Sequence, residues 1–129
     1  MKTTLTTILL MLTLSGATQE IYLNLDWSRQ NVKVQNRNRE LIYSAYNYLE
    51  YKTQYGFVAY EFNDKTCSAC LVSMDSIAGN RLIALRESQL WKLTEPNRWE
   101  YYSDCMGEVI QVSADWFGQT VTFKYTLKN

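Results

Sequence analysis

Three cysteines are the residues of this chain whose type and spacing could most readily do chemistry. Cys67 and Cys70 are three residues apart in the sequence CSAC, and Cys105 lies 35 residues beyond Cys70. Two neighbouring thiols can close into a disulfide or exchange a disulfide with another protein. The sequence therefore makes Cys67, Cys70 and Cys105 disulfide candidates, and it makes the CSAC pair a candidate for redox catalysis.

The segment from Thr66 to Ala78 is compatible with two conformations, and each gives the cysteines a different role. In a strand, Cys67 and Cys70 would face opposite sides about 10 Å apart. That is too far for a disulfide, so one of them would pair with Cys105. In a helix, both cysteines lie on one stripe and in the first turn, where the helix dipole favours a thiolate. The apolar spacing favours the helix.

The helical alternative gives the string FVAYEFNDKTCSACLVSMDSIAG the order strand, turn, CxxC, helix. This order resembles the redox element of thioredoxin-like proteins over 23 residues. The resemblance implies that Cys67 is the attacking thiolate and Cys70 the resolving one. The chain departs from that family because no aromatic residue stands directly before Cys67 and because the chain ends in a predicted strand. The resemblance to thioredoxin-like proteins is therefore limited to this strand, turn, CxxC and helix segment.

The residue types that are missing narrow the function. The chain has no histidine, which removes Ser-His-Asp and Cys-His catalysis and every imidazole metal site. Its 13 basic and 13 acidic residues balance and form no basic stripe, so we expect no nucleic-acid partner. The sequence also lacks a glycine-rich phosphate loop, and we expect no metal and no cofactor.

Residues 1–17 have the three parts of a secretory signal peptide. Lys2 is followed by an apolar stretch and then by the small residues Ser15 and Ala17, which precede the predicted cleavage site. The apolar stretch is shorter than the roughly 20 residues that cross a bilayer. We therefore expect a secreted or periplasmic protein whose mature part, residues 18–129, is a single small globular domain without a membrane span.

The remaining pattern predicts an α+β fold with a largely antiparallel sheet and one or two helices in the N-terminal half of the mature domain. The clearest strand is the last one, in which Val121, Phe123 and Tyr125 alternate with polar residues. No internal sequence repeat is evident. The expected helices are residues 36–55 and 67–78, and the expected strands are residues 21–27, 32–34, 57–62, 81–86, 90–93, 99–102, 108–113 and 119–127.

Aromatic residues are frequent in the last third of the chain. Trp91 and Trp99 lie within strand patterns, which favours a place in the core. Trp116 and Phe117 lie in a predicted turn over residues 113–118, where the sequence leaves both packing and contact with a partner open.

Two functional hypotheses follow from these observations. The first is a secreted or periplasmic non-catalytic binding domain, stabilised by a disulfide, that contacts an unknown protein or ligand through Trp116 and Phe117. The alternative is a thiol–disulfide oxidoreductase that uses Cys67 and Cys70. The odd number of cysteines also allows a disulfide-linked dimer.

Overall fold

The computed structural model describes residues 21–128, so the predicted signal peptide lies outside the described residues. Neither helix of the described range is long and apolar enough to cross a membrane. In chain order the elements are a 3₁₀ turn Ile21–Asn24, α1 Arg29–Gln35, β1 Leu41–Ala45, β2 Tyr48–Lys52, β3 Phe57–Asn63, β4 Thr66–Asp75, α2 Ser76–Ser88, β5 Lys92–Glu95, β6 Arg98–Ser103, β7 Glu108–Phe117 and β8 Thr120–Leu127.

All eight strands form one antiparallel sheet in the spatial order β1-β2-β3-β4-β8-β7-β6-β5. The order of elements repeats, because each half consists of a helix followed by four strands connected in sequence. The turns also repeat, with two, four and two residues in each half: 46–47, 53–56 and 64–65, then 96–97, 104–107 and 118–119. The equivalent strands β4 and β8 pair antiparallel at the centre, so the halves are related by an approximate two-fold rotation.

One face of the sheet carries the core, and both helices pack on it. Paired residues on adjacent strands share a face, and the inward rows include Leu49, Tyr60, Cys70 and Tyr125, each at most 1% exposed. Val32 of α1 is also fully buried, and the opposite face of the sheet carries mostly polar side chains. The surface that a macromolecule can contact therefore consists of this open face, the edge strands, the turns and the outer sides of the two helices.

The fold is α+β with a dominant antiparallel sheet, as predicted, but the helices are not confined to the N-terminal half. The hairpins β5–β6 and β7–β8 confirm the predicted pairings around residues 94–97 and before 119–127. Strand 57–62 is confirmed as β3, and the alternating residues of β8 face inward as expected. Trp91 and Trp99 are buried, which confirms their predicted place in the core.

The predicted strand over residues 21–27 is wrong. This segment begins with the 3₁₀ turn, because its buried residues Ile21, Tyr22 and Leu25 follow helical rather than alternating spacing. The predicted short strand over residues 32–34 lies within α1 instead. The hydroxyl of Ser28 accepts a hydrogen bond from the Asn31 N–H at 3.1 Å and so begins that helix.

The predicted helix over residues 36–55 is also wrong, because this stretch forms the β1–β2 hairpin. Leu49 and Tyr51 are buried while the alternating residues Tyr48 and Glu50 face the other side, which is the period of a strand. Residues 81–86, predicted as a central strand, lie instead in α2. Gly79, Leu82 and Arg86 are its buried residues, and their spacing is helical.

Candidate functional site

The CSAC cysteines lie in a strand, so the predicted helix over residues 67–78 is wrong. They nevertheless face the same side of the sheet. Phe62 pairs with Cys67, but the preceding residue Glu61 pairs with Ala69, so Ser68 is an extra residue and forms a β-bulge. In a regular strand every second side chain faces the same side, but across this bulge the residues that share a side, Cys67 and Cys70, are three positions apart. The alternative prediction of a strand is right about the conformation, but its expectation that the two cysteine side chains face opposite sides is wrong.

The two sulfur atoms are close together and shielded from solvent. Cys67 Sγ lies 3.7 Å from Cys70 Sγ, and the two residues are 1% and 0% exposed. The Cys67 N–H donates to the Trp27 carbonyl and the Cys67 carbonyl accepts from the Asp26 N–H, each at 2.8 Å. The segment before α1 therefore pairs with the start of β4, where β4 has no β8 partner.

Burial also sets the chemistry of these thiols. Desolvation, together with the hydrogen bond to Cys67, raises the pKa of the Cys70 thiol well above its ordinary range. The Cys67 thiol also lies 3.3 Å from the Ala69 carbonyl, to which it can donate. A buried thiol with a raised pKa is a poor nucleophile, because the thiolate is the reactive form.

Cys105 is separated from this pair. It is exposed in the turn between β6 and β7, and β8 lies between β7 and β4. Neighbouring strands are about 4.8 Å apart, so this arrangement places Cys105 roughly 10 Å or more from β4. That exceeds the Cα separation of about 7 Å that a disulfide tolerates. Among residues 21–128 there is also no group of three or more cysteine and acidic side chains arranged to hold a metal ion.

Exposed apolar side chains collect at the end of the sheet where β4 and β7 terminate. We call this set the apolar rim, and it consists of Tyr55, Ile77, Trp116 and Phe117. Phe117 pairs with Thr120, which in turn pairs with Asp75 at the end of β4. The predicted turn over residues 113–118 is wrong for Trp116 and Phe117, because both belong to strand β7. The turn is confined to residues 118–119.

The other members of the rim are brought to this end by backbone contacts. The Ser76 N–H donates to the Gln119 carbonyl at 2.8 Å, which fixes the start of α2, and with it Ile77, against the β7–β8 turn. Tyr55 precedes Gly56, where a Cβ atom would lie only 2.1 Å from the Ser73 carbonyl oxygen. This close approach holds the β2–β3 turn against the same end of β4.

The two aromatic residues of β7 differ in how firmly they are held. Phe117 is 85% exposed, whereas Trp116 is 36% exposed and its indole N–H donates to the Asn97 side chain at 3.0 Å. The Ala114 N–H donates to the Asn97 backbone carbonyl at 2.9 Å. This bond fixes the β5–β6 turn against β7, and with it the Asn97 side chain that accepts from Trp116. Because Trp116 pairs with the inward Val121 and Phe117 pairs with Thr120, the two rings project to opposite faces at the end of β7, and a partner must contact this end of the sheet to reach both.

A buried arginine is a feature that the sequence analysis missed. The guanidinium carbon of Arg86 lies 5.2 to 5.7 Å from the ring centroids of Tyr22, Trp91 and Tyr125. Trp91 also stacks on Tyr101 with its ring centroid 4.8 Å away. The helical spacing of Gly79, Leu82 and Arg86 is the signal that could have revealed it. This cluster fixes α2 to the sheet and contains no exposed reactive group.

The open face has a polar groove of about 380 Å³ over β5 to β8. Within it the carboxylate of Glu100 accepts hydrogen bonds from Gln111 at 3.0 Å and from Lys128 at 3.1 Å, and these bonds lower the Glu100 pKa. Lys124 lies 3.5 Å from Glu61 on the same face. Much of the charge in the groove is thus already paired within the protein.

A comparison with protein-family models, with curated proteins and with solved structures found no match to this chain. The two candidate functional regions of the molecule are the thiol pair and the apolar rim.

Proposed function

We propose that this protein is a secreted or periplasmic, non-catalytic domain that binds another protein through the apolar rim. The observation that carries this proposal is the 85% exposure of Phe117 at the end of β7, where the pre-oriented indole of Trp116 lies on the other face of the same strand end. Both residues were singled out from the sequence as candidate binding residues. Tyr55 and Ile77 at the same end of the sheet extend the apolar area.

Physical considerations favour a protein partner for such a surface. Tryptophan and tyrosine dominate binding energy in protein interfaces, and they do so at low conformational-entropy cost because they have few rotatable bonds. The hydrogen bond to Asn97 already restricts the indole of Trp116, so less freedom is lost when the partner docks. The balanced charge of the chain supports an apolar contact over electrostatic attraction to nucleic acid or lipid headgroups.

The alternative function, a thiol–disulfide oxidoreductase that uses Cys67 and Cys70, has one observation in its favour, the short distance between the sulfur atoms. Two observations weigh against it. An attacking cysteine must reach its substrate as a thiolate, but both cysteines are buried. In addition, the raised pKa of Cys70 disfavours its thiolate.

The binding proposal can be tested with the exported proteins of the source cells. The purified domain is immobilised, and each retained protein is purified and its affinity measured by calorimetry. Trp116→Ala with Phe117→Ala should weaken binding of that partner at least about 30-fold, the effect of losing a hot spot of about 2 kcal/mol. Tyr46→Ala is the matched control, because Tyr46 is also 85% exposed but lies on the β1–β2 turn.

Equal affinity of the double variant and the wild type would refute the apolar rim as the binding surface. Loss of binding in the Tyr46 control to the same extent would also refute it. If the double variant unfolds, Phe117→Ala alone repeats the measurement, since a side chain that is so exposed contributes little to stability.

The proposed export has its own test, which is independent of the partner. Edman sequencing of the protein recovered from the periplasm or the medium should begin at Thr18, directly after the predicted cleavage site. Recovery of the chain only from the cytoplasm, with Lys2 still present, would contradict the proposed localisation.

A further inference from the structure

We propose that Cys67 and Cys70 form an intrachain disulfide across the β-bulge of β4, while Cys105 remains a thiol. This proposal is independent of the binding partner. It identifies one connectivity among the three that three cysteines allow within a monomer.

The bulge provides the distance that a disulfide needs. Residues three apart in a regular strand are separated by about 10 Å. Here Cys67 and Cys70 lie opposite Phe62 and Tyr60, which are only two residues apart. Their Cα atoms are therefore about 7 Å apart, at the upper end of the range seen in disulfides.

The side chains are already oriented for bonding. Both point to the core face, and their sulfur atoms are 3.7 Å apart. An S–S bond of about 2.05 Å would require each sulfur to move by about 0.8 Å, which side-chain rotation and slight adjustment of the bulge can supply. Cys105 lies in a turn roughly 10 Å or more from β4, beyond the reach of either cysteine.

The oxidant is a disulfide of low molecular weight or of a protein, which export would supply. One cysteine, as the thiolate, attacks the oxidant and releases one thiol, forming a mixed disulfide. The second cysteine loses its proton and attacks the sulfur of the first, which releases the second thiol. Overall the two cysteines are oxidised, the oxidant is reduced to two thiols, and the two cysteine protons end on those thiols.

Burial determines when this bond can form. In the folded protein both sulfur atoms are inaccessible, so an oxidant reaches them only when the fold opens locally or before folding is complete. We therefore expect oxidation during refolding to be fast and oxidation of the folded, reduced protein to be slow. Once closed, the bond should resist reductants for the same reason.

Mapping of the full chain refolded in a glutathione and glutathione disulfide buffer tests the connectivity. After quenching, free thiols are alkylated in denaturant and peptides are analysed by mass spectrometry without reduction. We expect alkylation of Cys105 alone and a peptide containing Cys67 and Cys70 that is lighter by two hydrogen atoms. Cys67→Ser and Cys70→Ser should each leave both remaining cysteines alkylated.

Alkylation of all three cysteines after oxidative refolding would overturn the proposal, and so would a bond from Cys105 to either other cysteine. The wild-type result decides the matter even if a serine variant fails to fold. A second measurement tests the role of burial: dithiothreitol should reduce the bond at least tenfold more slowly in buffer than in urea. Equal rates would show that the bond is not enclosed by the fold.

Discussion

The two halves of the sheet share one order of elements and one set of turn lengths, yet they enclose different chemistry. Under α1 the first half buries the thiol pair and an amide, since the Asn36 Nδ2 donates to the Tyr60 hydroxyl at 3.2 Å. Under α2 the second half buries the guanidinium of Arg86 among aromatic rings. The two halves therefore share a backbone arrangement but differ in the polar and reactive side chains that they bury.

The helices explain part of this difference. The seven residues of α1 bury only Val32, and the preceding 3₁₀ turn packs on β4 while its Tyr22 joins the aromatic cluster of the second half. The thirteen residues of α2 cover the second half from Gly79 to Arg86. The start of β4, which β8 does not pair, is instead hydrogen-bonded at Cys67 to the backbone of Asp26 and Trp27. The comparison can be tested by removing matched features from each half.

The largest effect should come from the aromatic cluster of the second half. Trp91→Ala should lower the free energy of unfolding by about 3–5 kcal/mol, because Trp91 contacts three tyrosine rings and Arg86. Leu49→Ala in the first half removes fewer atoms and should cost about 2–4 kcal/mol. Urea titrations followed by far-UV circular dichroism measure both.

Leu90→Ala is the control for this comparison, since Leu90 adjoins Trp91 but is 84% exposed. It should change the free energy of unfolding by less than about 0.5 kcal/mol. If the Trp91 variant were as stable as the Leu90 variant, the aromatic cluster would not be the main stabilising contact of the second half.

The next effect tests two close backbone approaches, one in each half. In Gly56→Ala the new Cβ would meet the Ser73 carbonyl oxygen at 2.1 Å, and a backbone atom cannot rotate away. In Gly79→Ala it would meet a methyl group of Val121 at 2.3 Å. Helix propensity favours alanine at position 79 by about 1 kcal/mol, which offsets part of an overpacking cost of about 1–3 kcal/mol.

We therefore expect Gly56→Ala to be the more destabilising of the two in thermal unfolding. Gly107→Ala isolates the conformational cost, because Gly107 has a φ of 68° but no atom within 4 Å of the added Cβ. A Gly79 variant more stable than the wild type would mean that α2 does not approach β8 as closely as the structure has it.

The sequence predicted the second half better than the first, and the reason is local. Pro96 and Gly118 identify the turns of the β5–β6 and β7–β8 hairpins. In the first half the β1–β2 turn is Tyr46–Asn47, which carries no glycine or proline, so two short strands looked like one helix. The tyrosines that favour strand were outweighed by the spacing of a few apolar residues.

The bulge at Ser68 produced the most consequential error. It places Cys67 and Cys70 on one face of a strand, and a three-residue step between apolar positions is also what a helix produces. Pairing with the preceding strand β3, and with the distant strand β8 on the other side, decides between the two, and the apolar spacing of β4 alone does not reveal it. The exposure of Phe117 could be foreseen from the hairpin, whereas its proximity to Ile77 depends on how α2 begins.

Alkaline pH should weaken the first half through its buried acids. Burial raises the pKa of the Tyr60 hydroxyl above its ordinary value of 10.0 and that of the Cys70 thiol above 9.0. At high pH the unfolded chain therefore releases protons that the folded protein retains. The stability that these groups contribute is present below about pH 9 and is lost as the pH rises further.

Urea midpoints of the reduced protein from pH 8 to 11 measure this loss. Tyr60→Phe should make the fall shallower, because the variant has no hydroxyl to titrate. Trp99→Phe is the control from the second half, since it removes a hydrogen bond to Glu87 but no group that titrates in this range. An unchanged slope in the Tyr60 variant would mean that the alkaline loss arises elsewhere.

The smallest effect compares the N-caps of the two helices. Ser28→Ala and Asp75→Ala should each cost about 1 kcal/mol, because each removes the side-chain acceptor for a backbone N–H of the first turn. Asp75 should contribute more, since its negative charge also interacts with the helix dipole and the first turn of α2 holds no other acidic residue. Asp75→Asn keeps the acceptor and removes the charge, so its cost should be about 0.3–1 kcal/mol and should shrink in 1 M salt. A cost that is independent of salt would assign the contribution of Asp75 to hydrogen-bond geometry alone, and the caps of the two halves would then be equivalent.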